Sequence, residues 1–295
     1  MASSFRILCC VALVLVFGCK RDERFVPADL VPALFIRGQV DPNIGINVLV
    51  TKAISTGDTI PIVDLLIKNA VVILRNETGS ITQIPSVENG IYTLGNSGLF
   101  IETGKRYQLE VQVPDIGTAI SNWVEIPQPV QSVSVDFSAD GGHNGNTPTG
   151  SGTIIFSDMA NSNDYYLYRM FGQADGFPAV QAGSGLTVGG LCEILYRNGD
   201  AIFEDACLGN STSYEGQISA DIGQYFTSIR ETRPFKTMRI TFGTITKSYY
   251  DFLFSLEQPE EWENGLIEPK ESYTNFDGGW GVFYASNTTS YIIPL

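Results

Sequence analysis

The chain has 295 residues, of which 43% are hydrophobic and 17% charged, so it can form a folded core and is not intrinsically disordered as a whole. Its formal net charge of −14 argues against nucleic acid and anionic lipid surfaces as partners, because both are bound through Lys and Arg. The single histidine, His143, leaves little basis for a histidine-based triad or a multi-histidine metal site.

The N-terminus has the pattern of an export signal. Met1 to Arg6 is short and positively charged, and Ile7 to Phe17 is an apolar run too short to span a bilayer, which takes roughly 20 residues. The run ends in Val16-Phe17-Gly18-Cys19, which resembles a bacterial lipobox. We therefore predict a lipoprotein signal peptide over residues 1–18, lipidation at Cys19 and a tether over residues 19–31. Plain secretion is the alternative.

Two short motifs bear on the location of the protein. Lys20-Arg21-Asp22-Glu23 resembles the signal by which Bacteroidota send lipoproteins to the outer face of the outer membrane, although a solvated linker would have the same composition. Asp58-Thr59-Ile60 resembles the triplet that such bacteria O-glycosylate, which makes Thr59 a possible acceptor. The expected location is the outer membrane, with the protein anchored by lipid and facing the cell exterior.

The first half of the mature chain has the pattern of β structure. Short apolar or alternating runs recur between turn residues, and Ile126-Pro127-Gln128-Pro129 then interrupts strand pairing, since proline donates no ladder hydrogen bond. The predicted strands are Leu34 to Val40, Ile46 to Thr51, Ala70 to Leu74, Ile91 to Leu94, Tyr107 to Val113 and Ala119 to Ile126. We predict a β-sandwich over residues 32–126 that ends at this boundary.

Residues 130–295 are predicted to form a second β-rich domain with one short helix. Ser138 to Gly152 is rich in Gly, Asn and Thr, which predicts a long loop; its oxygen donors could suit calcium but lack the EF-hand spacing. Lys247 to Gln258 has the pattern of a helix whose aromatic residues face the core. The predicted strands are Val133 to Phe137, Thr153 to Phe156, Tyr165 to Phe171 and Met238 to Ile245.

Two cysteines remain once the signal peptide and the lipidated Cys19 are set aside. Cys192 and Cys207 are an even pair in an oxidising compartment, so a disulfide is predicted. A nucleophilic role for Cys192 lacks a nearby base.

The segment between these cysteines is predicted to be a hairpin around Asn198-Gly199. A four-residue loop would pair Arg197 with Ile202 and place the two cysteines opposite each other. A two-residue loop would offset them by two residues, so loop length and disulfide are linked predictions.

Aromatic residues near the C-terminus are candidates for ligand or partner contact. Trp262 lies in an acidic stretch, and Tyr273 and Trp280 flank or enter a glycine-rich stretch with Gly at 278, 279 and 281. These glycines allow close backbone approach, while the aromatic rings offer large packing surfaces. The stretch suits either a tight buried bend or an exposed aromatic platform.

The C-terminal stretch carries a specific resemblance. Met238 to Leu256, followed by Tyr273 to Phe283, is similar to the end of Bacteroidota lipoproteins of domain-of-unknown-function family 4249. Members typically end with a strand, a tyrosine-containing helix and an Asn-x-x-Gly-Gly-x-Gly-x-Phe segment. The N-terminal half, with residues 69–74 and 104–109, is also similar to transthyretin-like and carboxypeptidase-regulatory-like sandwiches, which indicates a fold rather than a function.

The resemblance implies a surface lipoprotein of the kind commonly encoded beside TonB-dependent outer-membrane transporters. It supplies no catalytic residues, cofactor or metal to carry over, so we expect a non-catalytic accessory that docks on such a barrel and helps to capture a nutrient. The small-molecule or peptide ligand is not indicated. A stand-alone adhesin or structural surface protein is the alternative, and an enzyme is disfavoured because no hydrolase or phosphate-loop motif occurs.

Overall fold

The computed structural model describes residues 33–53, 61–88, 90–157, 163–189, 192–197, 199–208, 213–226, 231–256 and 272–295. The predicted signal peptide, tether and lipidation site, together with Thr59 and Trp262, lie outside these residues.

The described chain is mainly β, as predicted. In the first half the strands are β1 (Leu34–Asp41), β2 (Gly45–Lys52), β3 (Val71–Asn76), β4 (Ile81–Ile84), β5 (Ser86–Glu88), β6 (Ile91–Gly95), β7 (Arg106–Val113), β8 (Gly117–Ser121) and β9 (Val124–Glu125). In the second half they are β10 (Ser132–Asn144), β11 (Thr147–Ser157), β12 (Tyr165–Gln173), β13 (Val180–Gln181), β14 (Ser184–Val188), β15 (Leu195–Arg197), β16 (Asp200–Glu204), β17 (Tyr214–Asp221), β18 (Gly223–Phe226), β19 (Glu231–Pro234), β20 (Thr237–Ile245), β21 (Phe276–Asp277) and β22 (Trp280–Pro294).

Helix is confined to two short α-helices and one 3₁₀ turn within the described residues. The one-turn helix α1 (Ile62–Leu65) was not predicted, and α2 (Lys247–Ser255) is the helix expected from the sequence. The buried residues of α2 are Tyr249, Phe252 and Leu253, a spacing that places them on one face.

A ten-stranded central sheet joins the two halves of the chain. Its strand order is β15-β16-β12-β20-β22-β1-β2-β6-β5, with β13 beside β12. The link is the long C-terminal strand β22, which pairs antiparallel with β20 and parallel with β1. The boundary predicted at residues 127–129 therefore separates two stretches of chain that share one sheet, and the division into domains stays a prediction.

Two smaller sheets cover one face of the central sheet. The six-stranded sheet β21-β8-β7-β3-β4, with β9 beside β7, buries a core that includes Ile36 and Leu109. The four-stranded sheet β10-β11-β17-β14 buries a second core around Phe156 and Phe242. Because paired residues point to the same side of a sheet, the registers of β20, β22 and β1 place both cores on one face. The helix α2 packs on the opposite face, over Val282 and Tyr284.

The prediction of a long loop over residues 138–152 is wrong. This segment forms the paired ends of β10 and β11, with Ser138 opposite Ser151 and Asn144 opposite Thr147, and a register shift between Ala139 and His143. Backbone ladder bonds need no apolar side chains, so a polar hairpin can form where the sequence pattern indicates a loop. Its Asp140 accepts hydrogen bonds from Gly142 N and Thr149 Oγ1 instead of standing free for a cation.

The single strand predicted over Ala119 to Ile126 is divided into β8 and β9. Both pair with β7, but Leu109 N donates to the Ser121 side chain at 2.9 Å. This side-chain bond replaces a ladder bond and interrupts the strand between Ser121 and Val124.

The glycine-rich stretch forms the entry to β22. Asn275 Nδ2 donates to Phe283 O at 2.7 Å, and Phe283 N donates to Asn275 Oδ1 at 2.9 Å. Gly281 has a positive φ of 110°, and a Cβ at this position would lie 2.0 Å from Ile36 O. The Asn and this Gly of the motif therefore fix how β22 enters the central sheet beside β1.

Candidate functional site

A groove opens on the face of the central sheet that carries α2. Its volume is about 280 Å³, and both halves of the chain contribute to it. The lining residues are Arg37, Gln39, Asn47, Leu49, Arg169, Phe171, Asp200 and Tyr284. They lie on β1, β2, β12, β16 and β22, so the groove exists only where these strands are assembled in one sheet.

Asp200, the first residue of β16, is the centre of the groove and is buried. Arg169 binds it in a bidentate manner, with Nε donating to Oδ1 and Nη2 donating to Oδ2, the latter at 3.0 Å. Arg37 Nη2 donates to Oδ2 at 3.3 Å, and the Tyr249 hydroxyl donates to the same oxygen. One carboxylate thus holds two guanidinium groups and a phenol in fixed positions.

Two stacked tyrosines contact the arginines that bind Asp200. Tyr249 of α2 and Tyr284 of β22 are stacked, with ring centroids 3.8 Å apart and an interplanar angle of 10°. Arg37 Nη2 donates to Tyr249 Oη at 2.5 Å, and Arg169 Nη2 donates to Tyr284 Oη at 3.2 Å. The helix is therefore tied to the sheet through polar contacts as well as apolar packing.

Gln39 extends the network along β1. Its Oε1 accepts from Arg169 Nη1 at 3.5 Å, and its Nε2 donates to Ser286 Oγ at 2.9 Å. Ser286 in turn donates to the fully buried Asp41 at 2.6 Å. This chain of hydrogen bonds fixes the orientation of the Gln39 amide at the groove wall.

The electrostatic environment raises the pKa of both arginines and of Tyr249. Burial lowers the pKa of Arg37 and of Arg169, but nearby tyrosines and Asp200 raise it by more, so the net shift of each pKa is upward. Burial, and then electrostatic interaction with Tyr284 and Asp200, raises the pKa of Tyr249 well above its usual value. At neutral pH both guanidinium groups are charged and the Tyr249 phenol is protonated.

The charged lining residues are two arginines and one aspartate, a net charge of +1 on a chain of net charge −14. Arg37 has a side chain that is 32% exposed, whereas that of Arg169 is 15% exposed. Among the described residues no acceptor is bound by Nε or Nη1 of Arg37. The arrangement offers donors to an anion, and its two guanidinium groups oppose the binding of a metal cation.

The residues singled out from the sequence lie elsewhere. Cys192 and Cys207 are at disulfide distance, with Cα atoms 4.9 Å apart, which confirms the predicted pairing. Tyr273 is half-buried against the core under α2, and its N donates to Ser255 Oγ at 2.9 Å. Trp280, 49% exposed, begins β22. Neither aromatic residue lines the groove, and their roles in ligand or partner contact stay predictions. Lipidation of Cys19, O-glycosylation of Thr59 and a contact role for Trp262 also stay predictions.

The hairpin beneath the disulfide differs from the predicted one. Arg197 pairs with Asp200, not with Ile202, so two residues separate β15 from β16. The offset that this creates is removed by the 3₁₀ turn Asp205–Cys207, which returns Cys207 toward Cys192. The two-residue turn between β15 and β16 places Asp200 at the start of β16, where it contacts Arg37 and Arg169.

The groove residues were not identified from the sequence because most of their contacts are long-range. Arg37 and Asp200, for example, are separated by 163 positions in the chain. One signal was present: Arg37 and Arg169 each stand inside a mostly apolar strand. A charge at such a position needs a partner or a ligand.

Metal-ligand clusters and membrane-spanning helices are both absent from the described ranges. No group of three or more His, Cys, Asp or Glu side chains there is arranged to hold a metal ion. No described helix has the length and apolar character needed to span a bilayer.

Comparison with known proteins identifies a family but no activity. A comparison with curated proteins gives no match. Among solved structures, an α-L-rhamnosidase from Dictyoglumus thermophilum aligns with 9% identity over 73% of this chain and 28% of that enzyme's chain. The TM-score of 0.27 is too low to support any inference about this chain. The chain spans just over a quarter of that enzyme's length. The sequence profile of a domain of unknown function, DUF4249, matches residues 25–292, and the chain belongs to this family.

Proposed function

We propose that the protein is a non-catalytic, lipid-anchored binding protein on the outer face of the outer membrane, where it serves as an accessory to a TonB-dependent transporter. The observation that carries the binding role is the groove around Asp200. Its donors are held in position by strands from both halves of the chain, so they need little reordering when a ligand arrives.

The state of the polar groups supports binding rather than catalysis. Both oxygens of Asp200 accept hydrogen bonds from guanidinium or phenol groups, which leaves the carboxylate poorly placed to take a proton from a substrate. The raised pKa of Tyr249 keeps its phenol protonated, so it acts as a hydrogen-bond donor and not as a base.

The location rests on the sequence. The apolar run before Cys19 and the charged residues after it support lipid anchoring and surface exposure. The transporter rests on the resemblance to surface lipoproteins that are encoded beside TonB-dependent barrels.

Anchoring is tested by cell fractionation. Cys19→Ser should release the protein from the membrane fraction, because the residue that accepts lipid is lost. Cys10→Ser, within the predicted signal peptide, is the matched control and should remain in the membrane fraction. Equal fractionation of the two variants would argue against lipidation at Cys19.

The transporter role is tested by purifying tagged protein from native outer membranes in mild detergent, followed by mass spectrometry. A TonB-dependent barrel recovered in near-equal amount is the expected result. Recovery of the protein alone, with intact cells still labelled by an antibody, would reject the accessory role and favour a stand-alone binder or adhesin.

A further inference from the structure

We infer that the groove binds a small organic monocarboxylate, with its carboxylate against Arg37 and its uncharged part over Phe171 and Leu49. This names the ligand class of the binding protein proposed above and rests on that proposal. Three features of the groove support it: its charge, its unused donors and the mixed character of its walls.

The first feature is the charge. Asp200 neutralises one of the two lining arginines, which leaves a net charge of +1 on the residues that line the groove. A monoanion would balance this charge, whereas a divalent cation would be repelled by both guanidinium groups. The net charge of the groove is opposite in sign to that of the whole chain, which is −14. The positive charge of the groove therefore does not follow from the overall composition.

The second feature is the set of unused donors. Arg169 is engaged through Nε, Nη1 and Nη2, whereas Arg37 uses only Nη2 within the described chain. Guanidinium N–H groups make their strongest hydrogen bonds to carboxylate or phosphate oxygens. Arg37 is also the more exposed of the two arginines, so it is the one that an incoming anion would meet.

The third feature separates an organic carboxylate from an inorganic anion. Leu49 and Phe171 are half-buried in the lining, and the Arg239 guanidinium lies 5.1 Å from the centroid of the Phe171 ring. Gln39 and Asn47 add amide groups suited to hydroxyl or carbonyl oxygens. Inorganic phosphate would use none of the apolar wall. The volume of about 280 Å³ lies near the lower end of ligand sites, roughly 300–1,000 Å³, so the ligand is small.

Titration calorimetry on the detergent-solubilised full chain tests the inference. The probes are acetate, benzoate and glucuronate, each beside a neutral counterpart: acetamide, benzamide and glucose. Inorganic phosphate is a separate arm. We expect benzoate or glucuronate to bind with a Kd below about 10 mM, and its neutral counterpart to bind at least about ten-fold more weakly, equivalent to about 1.4 kcal/mol.

Arg37→Gln should weaken carboxylate binding by about ten-fold or more, since it removes the free donors. This variant leaves Asp200 paired with Arg169 and Tyr249, so the fold should persist, which an unchanged circular dichroism spectrum would verify. The matched control is Arg75→Gln. Arg75 is 34% exposed and pairs with Glu110 at 2.5 Å in the six-stranded sheet, and its loss should leave binding unchanged.

Phe171→Ala should weaken benzoate or glucuronate but not acetate. The inference is overturned if none of the three carboxylates binds, if neutral counterparts bind equally well, if phosphate binds more tightly than every carboxylate, or if Arg37→Gln binds like the wild type.

Failure of the carboxylate inference and failure of the proposed function give different results. Carboxylate binding without a co-purified barrel would retain the groove and reject the transporter role. A co-purified barrel without carboxylate binding would retain the accessory role and reject the ligand class.

Discussion

At the scale of single residues, the groove depends on Asp200, because this carboxylate is the shared partner of Arg37 and Arg169. Asp200→Asn would leave two nearby guanidinium groups without a countercharge. We expect the free energy of unfolding to fall by about 3 kcal/mol, the scale for breaking a buried ion pair. Urea denaturation followed by circular dichroism measures it.

The control for this change is Glu110→Gln, which removes the carboxylate partner of one arginine, Arg75, whose side chain is 34% exposed. Because only one guanidinium loses its partner here and water can solvate it, whereas the Asp200 change affects two, of which Arg169 is only 15% exposed, the loss should be about 1 kcal/mol. Equal losses in the two variants would mean that the Asp200 cluster is no more important to the fold than the pairing of one partly exposed arginine with a buried carboxylate.

A second residue-scale prediction concerns Gly281, where a positive φ of 110° coincides with a close approach to the Ile36 carbonyl. Gly281→Ala should lower the free energy of unfolding by about 4 kcal/mol, because both strain and overlap are introduced. Gly79 isolates the strain, since its φ is 92° and no atom lies within 4 Å of the place that a Cβ would occupy. Thermal unfolding should show Gly79→Ala losing about 1–2 kcal/mol; similar losses at both sites would refute the overlap argument.

At the scale of elements, the disulfide closes the hairpin that carries Asp200. Its cysteines are 15 residues apart, and a cross-link of this length stabilises a fold by about 3 kcal/mol. Changing Cys192 and Cys207 together to Ser should lower the denaturation midpoint, and a thiol reductant should shift the wild type to the same extent. The double variant should not respond to the reductant; a response would show that the effect does not arise from this bond.

Individual strands could be predicted from the sequence where side chains alternate. β1, β7 and β12 each place apolar residues on a buried face, and the period of two makes such strands visible. The hairpin of β10 and β11 was missed because its outer part is held by backbone hydrogen bonds between small polar residues. Hydrophobic periodicity detects buried side chains, not backbone pairing.

Long-range pairing could not be predicted in the same way. β1 and β22 are parallel neighbours, with Arg37 beside Val282, although nearly the whole chain separates them. Asn275 and Gly281 shape the entry of β22, but the local sequence does not indicate that β1 is its partner strand, and the groove depends on that pairing. The part of the site open to prediction was therefore the unusual charge within two apolar strands, not the partner that each charge would find.

At the scale of the whole molecule, one sheet face carries the two sandwich cores and the other carries α2 and the groove. The long strand β22 takes part in both, since Phe283 packs in the first core and Tyr284 contacts Arg169. Changes that loosen β22 should therefore affect stability and binding together, whereas changes within the six-stranded sheet should leave the groove intact.

The stability of the whole molecule should depend on pH through its buried phenols. Burial raises the pKa of tyrosines throughout the fold, among them Tyr168 and Tyr249. Since the unfolded chain ionises its tyrosines near pH 10, their contribution to stability is complete below that pH and is lost as pH rises further.

At acidic pH the dependence runs in the opposite direction, and stability is lost as pH falls. Hydrogen bonds from Arg75 and Gln112 lower the pKa of Glu110, so its contribution is complete above its unfolded value, near pH 4, and is lost as pH falls. Denaturation midpoints measured between pH 3 and pH 11 should therefore form a plateau between about pH 5 and 9 that falls at both ends. Tyr168→Phe removes one of the shifted phenols and should make the alkaline fall shallower. An unchanged alkaline slope in this variant would assign the loss to groups other than this buried tyrosine.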